Sequence, residues 1–264
     1  MKNTDILKKE KILEKLTFKN ADITVLETVD STNKYLKSIL NENTPEYTTI
    51  IANNQTLGRG RFTRRFHSPE NCGIYMSVLL KPNFNITDSI LLTAAAAVAV
   101  SDVIEEISGK KTQIKWVNDV LINSKKVCGI LCEGVINPKT AKLESVILGI
   151  GINVYKPEND FHDEIKDIAT YILDDIKPDA RNTIIAKIIN LLSKYSSELE
   201  KRTFLEKYRN RSAVIGKNIL VLKGEESIPA KALGIDRNCR LKVEYAHGKQ
   251  EYLSSGEISI KIDS

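Results

Sequence analysis

Four arginines and two glycines alternate in one short stretch, Gln55 to Pro69: Gly58-Arg59-Gly60-Arg61, then Arg64 and Arg65. Arginine presents a rigid fork of donors that matches a carboxylate or a phosphate. Glycine lets a backbone approach a ligand closely. Together they describe a cationic clamp for an anion, although the same stretch also reads as a solvated basic loop or a nucleic-acid contact. Two lysines, Lys115 and Lys126, flank Asn118 and Asp119 further on. A third cluster, Asp30-Ser31-Thr32-Asn33, gathers hydroxyls and an amide. Ser31 or Asp30 there is expected to cap a helix reaching about Leu40, and a helix N-terminus also suits a small ligand.

The elements that must position these groups follow from hydrophobic period and turn signals. Ile23–Thr28, Tyr47–Ala52 and Gly73–Leu80 read as strands, so the arginine stretch is a loop between two of them. Ser89–Ile107 is apolar on most faces and reads as a core helix, opened by Thr87 or Asp88 and stopped near Gly109. Thr112–Ile122 turns at Asn123-Ser124-Lys125 into a strand over Lys126–Glu133, and Leu143–Val154 is another, with Gly149 and Gly151 inviting close backbone approach. Phe161–Leu173 is expected to be helical, Asn182–Arg202 a long amphipathic helix, and Phe204–Tyr208 a shorter one. From Ala213 onward, short strands separated by turns predict a small all-β unit of about fifty residues. Residues 1–20 suit a short amphipathic helix, with Ile12, Leu13 and Leu16 on its apolar side. Hairpin signals favour a mixed or antiparallel sheet over a doubly wound one, and neither G-x-G-x-x-G nor a Walker lysine is present.

Composition narrows the class. The 264 residues are 42% hydrophobic and 28% charged, with a net charge of +5. That balance suits a soluble globular protein, and the mild charge does not by itself argue for nucleic acid. No apolar run is long enough to span a bilayer, so no membrane partner is expected. Cys72, Cys128, Cys132 and Cys239 have neither framework nor zinc spacing; with no signal peptide they are expected as free thiols in a cytoplasmic protein. Trp116 reads as core or pocket wall, and His67, His162 and His247 as isolated packing or solvent residues.

Four motifs stand in order: Asp30-Ser31-Thr32-Asn33; Gln55–Pro69; Lys115-Trp116-Val117-Asn118-Asp119 with Lys126 to Leu131; and Gly149–Asn153. With a C-terminal β unit ending Gly256-Glu257-Ile258-Ser259, the chain from about residue 24 onward resembles biotin protein ligase, of the type lacking an N-terminal helix-turn-helix domain. The resemblance implies an α+β fold: a mixed central β-sheet with helices packed on it, the class II synthetase-like biotinyl/lipoyl ligase fold, plus a small SH3-like β-barrel. Residues 1–212 would form the catalytic biotin- and ATP-binding domain, and 213–264 the C-terminal domain.

The reaction implied has two steps: biotin and ATP form biotinoyl-5′-AMP, and the biotinyl group then passes to a lysine of a biotin carboxyl carrier protein or domain. The resemblance places Arg61, Lys126 and Lys115 in catalysis. Around biotin it places Ser31, Thr32, Asn33, Gln55, Gly58, Arg59, Gly60, Arg61, Phe66 and Lys126. For ATP it places Arg61, Arg64, Lys115, Asn118 and Asn153. Asp119 is a candidate either for Mg²⁺ or for orienting Lys126. DNA is not expected as a partner, and the homodimer that many relatives form through the sheet is an open arrangement. The sister reading is a lipoate–protein ligase; a more distant one is a basic nucleic-acid-binding protein. Thr63, Phe66 and Val117 depart from the family's usual Gly, Trp and Pro.

Overall fold

The computed structural model describes residues 5–19, 21–61, 64–81, 89–136, 143–223, 225–254 and 257–260, with only the backbone of 257–260. Runs of β-branched and long aliphatic residues form strands here, where they pack on the pleated surface of a largely buried sheet. The clearest case, β3 (Gly73–Leu80), is buried at every position. In chain order its neighbours are α1 (Lys9–Leu13), β1 (Ile23–Val29), α2 (Thr32–Ile39), β2 (Thr49–Gln55), then α3 (Ser89–Ser108), β4 (Gln113–Lys115), β5 (Asp119–Ile122), β6 (Lys125–Ile136) and β7 (Leu143–Asn153). They are followed by α4 (Ala180–Ser197), α5 (Leu205–Asn210) and five short strands, β8 (Asn218–Lys223), β9 (Glu226–Ile235), β10 (Leu241–Tyr245), β11 (Gln250–Leu253) and β12 (Glu257–Ile260).

The first seven strands form one mixed sheet in the order β1-β2-β3-β7-β6-β5-β4. β1 and β2 run parallel; the other neighbours are antiparallel. Strand residues alternate between faces. Ile74, Met76 and Val78 of β3 join Leu148, Ile150 and Ile152 of β7 in the large core with α3 and α4. The opposite face carries Leu79 and Ile147, which pack with Ile50 and with Leu36 of α2 in a smaller cluster. That second face is only partly covered by α2, and the rest of it floors the cleft described below.

The long apolar segment behaves as its composition demands: every residue of α3 from Ile90 to Ser101 is buried. Pro82–Asp88, with the expected cap at Thr87 or Asp88, lies outside the described residues. The N-terminal segment is tied to α4 rather than free. Arg181, 1% exposed, donates to Asn53 Oδ1 at 3.0 Å and to the carbonyl of Gly73 at 3.2 Å, and pairs with the buried Asp5 carboxylate at 3.3 Å.

The five C-terminal strands form a separate antiparallel sheet, ordered β11-β10-β9-β8-β12. It and the segment leading into it meet the first sheet at β4 and the β4–β5 turn. Ile114 exchanges backbone bonds with Arg211 and Ala213, Trp116 Nε1 donates to the carbonyl of Cys239 at 2.9 Å, and the hydroxyl of Tyr208 donates to the carbonyl of Val117 at 3.0 Å.

One expected element does not form. Residues 161–173 make two overlapping turns, His162–Lys166 and Ile165–Ala169, not a helix. The backbone is used elsewhere: Lys126 N donates to the carbonyl of Ile168 at 2.7 Å, and Thr170 N to that of Lys126 at 2.9 Å. The Ile168 carbonyl and the Thr170 N–H are thus committed to the sheet and cannot extend these turns into a helix. The four cysteines are free thiols, as expected, and burial pushes Cys132 and Cys239 up to about 12.

Candidate functional site

The site starts at the N-terminus of α2. Ser31 is extended and stands at the N-cap position, but its side chain makes no capping bond. Gln55, at the end of β2, does this instead: its Oε1 accepts from Thr32 N at 2.9 Å and from Thr32 Oγ1 at 3.1 Å. An orphan helix donor is therefore satisfied from a distant strand. The other end of the Gln55 amide donates to Ser68 Oγ at 2.9 Å, which donates on to the carbonyl of Phe66. One amide thus joins helix, strand and arginine loop.

The arginine loop is a hairpin-like ribbon. Gly60 N donates to the carbonyl of Arg64, Phe66 N to that of Gly58, and Arg59 bridges Arg65. Gly58 is needed for its size: a Cβ there would sit 2.3 Å from the Phe66 carbonyl oxygen. Phe62 and Thr63, where the Thr63 departure falls, lie outside the described residues.

Beneath the ribbon, sheet register sets the floor. One continuous row of cross-strand partners runs Tyr75–Gly151–Gly129–Asp119–Lys115, from β3 through β7, β6 and β5 to β4. A neighbouring row runs Ser77–Gly149–Leu131. The glycines leave the middle of the floor bare, and side chains from elsewhere fill it. A Cβ at Gly151 would meet the Phe66 ring at 2.6 Å, and one at Gly149 would meet Asn33 Oδ1 at 2.2 Å. Phe66 therefore covers the floor, its ring also reaching Gly129, where a Cβ would meet it at 3.3 Å. Lys126 reaches the same floor, and its Nζ lies 2.7 Å from Asp119 Oδ1. That oxygen is buried and makes no aligned hydrogen bond among the described residues, so the ion pair is what it is given.

The resulting cleft encloses about 930 Å³, its open mouth included. Of the residues singled out from sequence, Ser31, Thr32, Asn33, Gln55, Arg59, Gly60, Arg61, Arg64, Phe66, Lys115, Asn118, Asp119 and Lys126 all line it. Gly58 and Asn153 do not. Gly58 shapes the ribbon from behind, and Asn153 donates to the carbonyl of Thr170 at 3.0 Å, tethering the 161–173 segment to the end of β7. Arg65 and Leu131, which fall inside the motifs but were given no role, also line the cleft; sequence reasoning missed Tyr75 as a lining residue and Ser77 and Glu133 as the partners of Asn33. The period-two alternation of β3 and β6 was the available signal: Tyr75 and Ser77, like Leu131 and Glu133, share the glycine face.

The two ends of the cleft differ chemically. Near α2, Thr32 and Asn33 form a neutral network with Ser77, whose hydroxyl lies 2.7 Å from Thr32 Oγ1 and 2.5 Å from Asn33 Oδ1. Towards β4 and β5 the lining is cationic, with Arg61, Arg64, Lys115 and Lys126 against Asp119. Arg61 Nη1 donates to Asn118 Oδ1 at 3.3 Å, and Asn118 in turn donates to the carbonyl of Ile130 at 3.0 Å. Such a surface suits a ligand with a neutral, hydrogen-bonding head and an anionic tail, next to a polyphosphate. For a metal, the described residues contain no cluster of three His, Cys, Asp or Glu. The fit is to a Mg²⁺ ion carried on substrate phosphates, which needs at most one or two protein carboxylates.

The histidines correct another expectation. His67 and His162 are not isolated: their rings pack edge to face, 4.3 Å between centroids, linking the arginine ribbon to the 161–173 segment. Burial, and then the neighbouring His162, push His67 below its usual 6.5. His247 is exposed, as read. Trp116 is buried pocket wall, as read.

Residues 25–153 match the biotin/lipoate A/B protein ligase family, and residues 214–261 match the biotin protein ligase C-terminal domain. The chain is 48% identical over 144 residues to the bifunctional ligase/repressor BirA of Bacillus subtilis, a match covering 54% of this chain and 44% of that protein. It therefore spans less than half the length of that relative. It is 31% identical over 225 residues to the biotin–[acetyl-CoA-carboxylase] ligase of Mycobacterium tuberculosis, covering 79% of this chain and 77% of the other. Among solved structures, the biotin protein ligase of Aquifex aeolicus in complex with biotin and ATP superposes with a TM-score of 0.75 at 31% identity, over 92% of this chain and 99% of that one.

Proposed function

The chain belongs to the biotin protein ligase family, and from that membership and the cleft we infer that it activates biotin with ATP to biotinoyl-5′-AMP and pyrophosphate, then passes the biotinyl group to a lysine of a biotin carboxyl carrier protein or domain. The observation that carries this reading is the single glycine floor joining a neutral amide and hydroxyl end to a cationic end.

The first step brings a carboxylate to the α-phosphorus of ATP. Two unit charges 4 Å apart repel by about 4 kcal/mol at an effective dielectric near 20, and fixed cations offset this. Arg61, Lys115 and Lys126 supply them, with Arg64 on the nucleotide side. Lys126 is held in place by Asp119 and by the two backbone bonds that its own peptide makes with residues 168 and 170. Asp119 is a positioning residue in this scheme; Mg²⁺, carried on the phosphates, screens their charge. Ser31, Thr32, Asn33 and Gln55 read the neutral ureido head. An unmet buried polar partner is costly, so these groups disfavour an acid without such a head. Arg59, Gly60 and Phe66 close over the tail. Asn118 serves the nucleotide and also orients Arg61.

Residues 213–264 are assigned to the C-terminal domain and the rest to the catalytic one; the bonds of Ile114 with Ala213 and of Trp116 with Cys239 support their acting as a unit. Residues 5–19 run along α4, with Lys8 N donating to Asn182 Oδ1 and Thr17 N to Asn190 Oδ1, each at 2.9 Å. A homodimer through the sheet is included, since β1 has no strand neighbour on its outer edge among the described residues.

The test is biotin- and Mg²⁺-dependent exchange of labelled pyrophosphate into ATP, run in parallel with lipoate. Exchange with biotin, abolished by Arg61→Ala and Lys126→Ala, is the expected result. Exchange with lipoate alone would move the chain to the sister activity, and exchange with neither would refute the reading.

A further inference from the structure

The arginine ribbon is held from two directions. From β2 and β3 it is held by Gln55, whose amide donates to Ser68, and by Tyr75, whose hydroxyl donates to the carbonyl of Pro69 at 2.8 Å. From the 161–173 segment the hold is the edge-to-face packing of His162 on His67, with ring centroids 4.3 Å apart. That segment is itself tied to the sheet. Its backbone bonds to both sides of the Lys126 peptide, and the carbonyl of Thr170 accepts from Asn153. Support therefore runs from sheet to segment, through His162 to His67, and so to the ribbon. His67 adjoins Phe66, whose ring covers the glycine floor. A Cβ at Gly129 would meet that ring at 3.3 Å and Lys126 Nζ at 3.1 Å, so ring and ammonium close over the same glycine. Where His67 sits thus bears on how the floor is covered.

Imidazole changes charge close to neutral pH. Two neutral rings attract edge to face, whereas two imidazolium rings at this spacing repel. His162 is exposed to solvent and His67 half-buried. Burial, then His162, holds His67 below its usual 6.5, so the proton binds better where the contact is broken. The contact is accordingly complete above about 6.5 and is lost as pH falls through the depressed value. The charged groups on the two elements that meet here are Arg64, Arg65 and Glu70 on the ribbon and its exit, and Asp160, Asp163, Glu164, Lys166 and Asp167 on the segment. Asp160 and Asp163 are paired with Lys156 and Lys166, each at 2.8 Å. The charge that acts on His67 is that of His162, not that of a carboxylate.

We propose that His162 is a positioning residue: through His67 it holds the arginine ribbon on the cleft floor while both imidazoles are neutral, and their protonation releases it. The cleft loses its cover in mildly acidic solution, whatever acid it takes. One consequence rests on the ligase reading given above, namely that biotin affinity falls with the same pH profile.

The experiment is hydrogen–deuterium exchange on the full-length protein without ligand, read on the ribbon, where Gly60 N and Phe66 N are hydrogen-bonded, with the histidine-free strand β3 as internal reference. Protection is corrected for the intrinsic pH dependence of exchange. His162 is exposed, so its substitution leaves the fold intact, and circular dichroism checks this. Wild-type ribbon protection is expected to fall by about threefold or more between pH 7.5 and 5.5, and His162→Ala to lower it by about as much already at pH 7.5. His162→Phe keeps a ring without a charge: it retains protection at pH 7.5 to within about twofold and shows less than half of the wild-type fall. Protection of β3 stays within about twofold throughout, whereas general loosening would lower both. Missing any one of these results overturns the proposal. No ligand is present, so the outcome is independent of the ligase reading, which pyrophosphate exchange tests by itself.

Discussion

Replacing Gly149 with alanine adds one methyl group and tests the whole neutral end of the cleft. Gly149 carries no unusual backbone angle, so in open space the change would stabilise the fold by about 0.4–1 kcal/mol through the unfolded chain. The space is not open. The new Cβ would stand 2.2 Å from Asn33 Oδ1 and 2.9 Å from its Cγ. Asn33 is 4% exposed and held at 2.5 Å by Ser77 and at 2.7 Å by Glu133, so it cannot yield without giving up both bonds. Each is worth about 0.5–1.5 kcal/mol net, and a buried group left unmet costs about 1–3 kcal/mol. The loss outweighs the gain, leaving Gly149→Ala about 1–3 kcal/mol less stable. Biotin affinity falls about tenfold to a hundredfold, since each 1.4 kcal/mol is about a factor of ten. Urea unfolding measures the first and the biotin KM of pyrophosphate exchange the second. Asn33→Ala removes the atoms in conflict, so the double variant is no worse than Asn33→Ala alone, a coupling of about 1 kcal/mol or more. If Gly149→Ala changes biotin affinity less than twofold, or the two substitutions simply add, the close approach of Asn33 to the floor does not hold that end of the site.

Two further outcomes are expected. Asp119→Asn lowers the kcat of exchange about tenfold to a hundredfold while the biotin KM moves less than fivefold, because Lys126 loses the partner 2.7 Å away that aims it; a change confined to the Mg²⁺ concentration at half-maximal rate would instead make Asp119 a metal ligand. Away from the cleft, Glu105 of α3 accepts from Arg211 at 2.8 Å and from Thr112 at 2.9 Å and 2.8 Å. Burial would raise its pKa, but those hydrogen bonds outweigh burial and hold it at about 2 against an ordinary 4.5. A depressed carboxylate stabilises fully above the ordinary value and loses that stabilisation as pH falls towards 2, with a linkage ceiling of about 3 kcal/mol. Wild type is therefore more stable than Glu105→Gln at pH 7, and the difference shrinks between pH 4.5 and 2; a gap in urea stability that stays constant across that window would refute this.

How much could be read along the chain follows from which interactions are local. The core helix α3, the strands around Gly73–Leu80 and Leu143–Asn153, and the placing of four arginines on a loop are written in composition and period, because each residue's choice depends on neighbours a few positions away. The ordered motifs likewise marked thirteen residues that do line one cleft. Helix 161–173 failed because its peptide groups bond to Lys126, a partner more than forty residues distant. Gln55 as the cap of α2, Asn153 as a tether, and the His67–His162 contact were hidden for the same reason. Glu133 looked like one more charge at the end of a strand. Sequence by itself determined which residue types were available and which face of each strand they share. Tertiary structure alone decided the register that aligns Tyr75, Gly151, Gly129, Asp119 and Lys115 in one row, since that register is set by packing and hydrogen bonds summed over five strands.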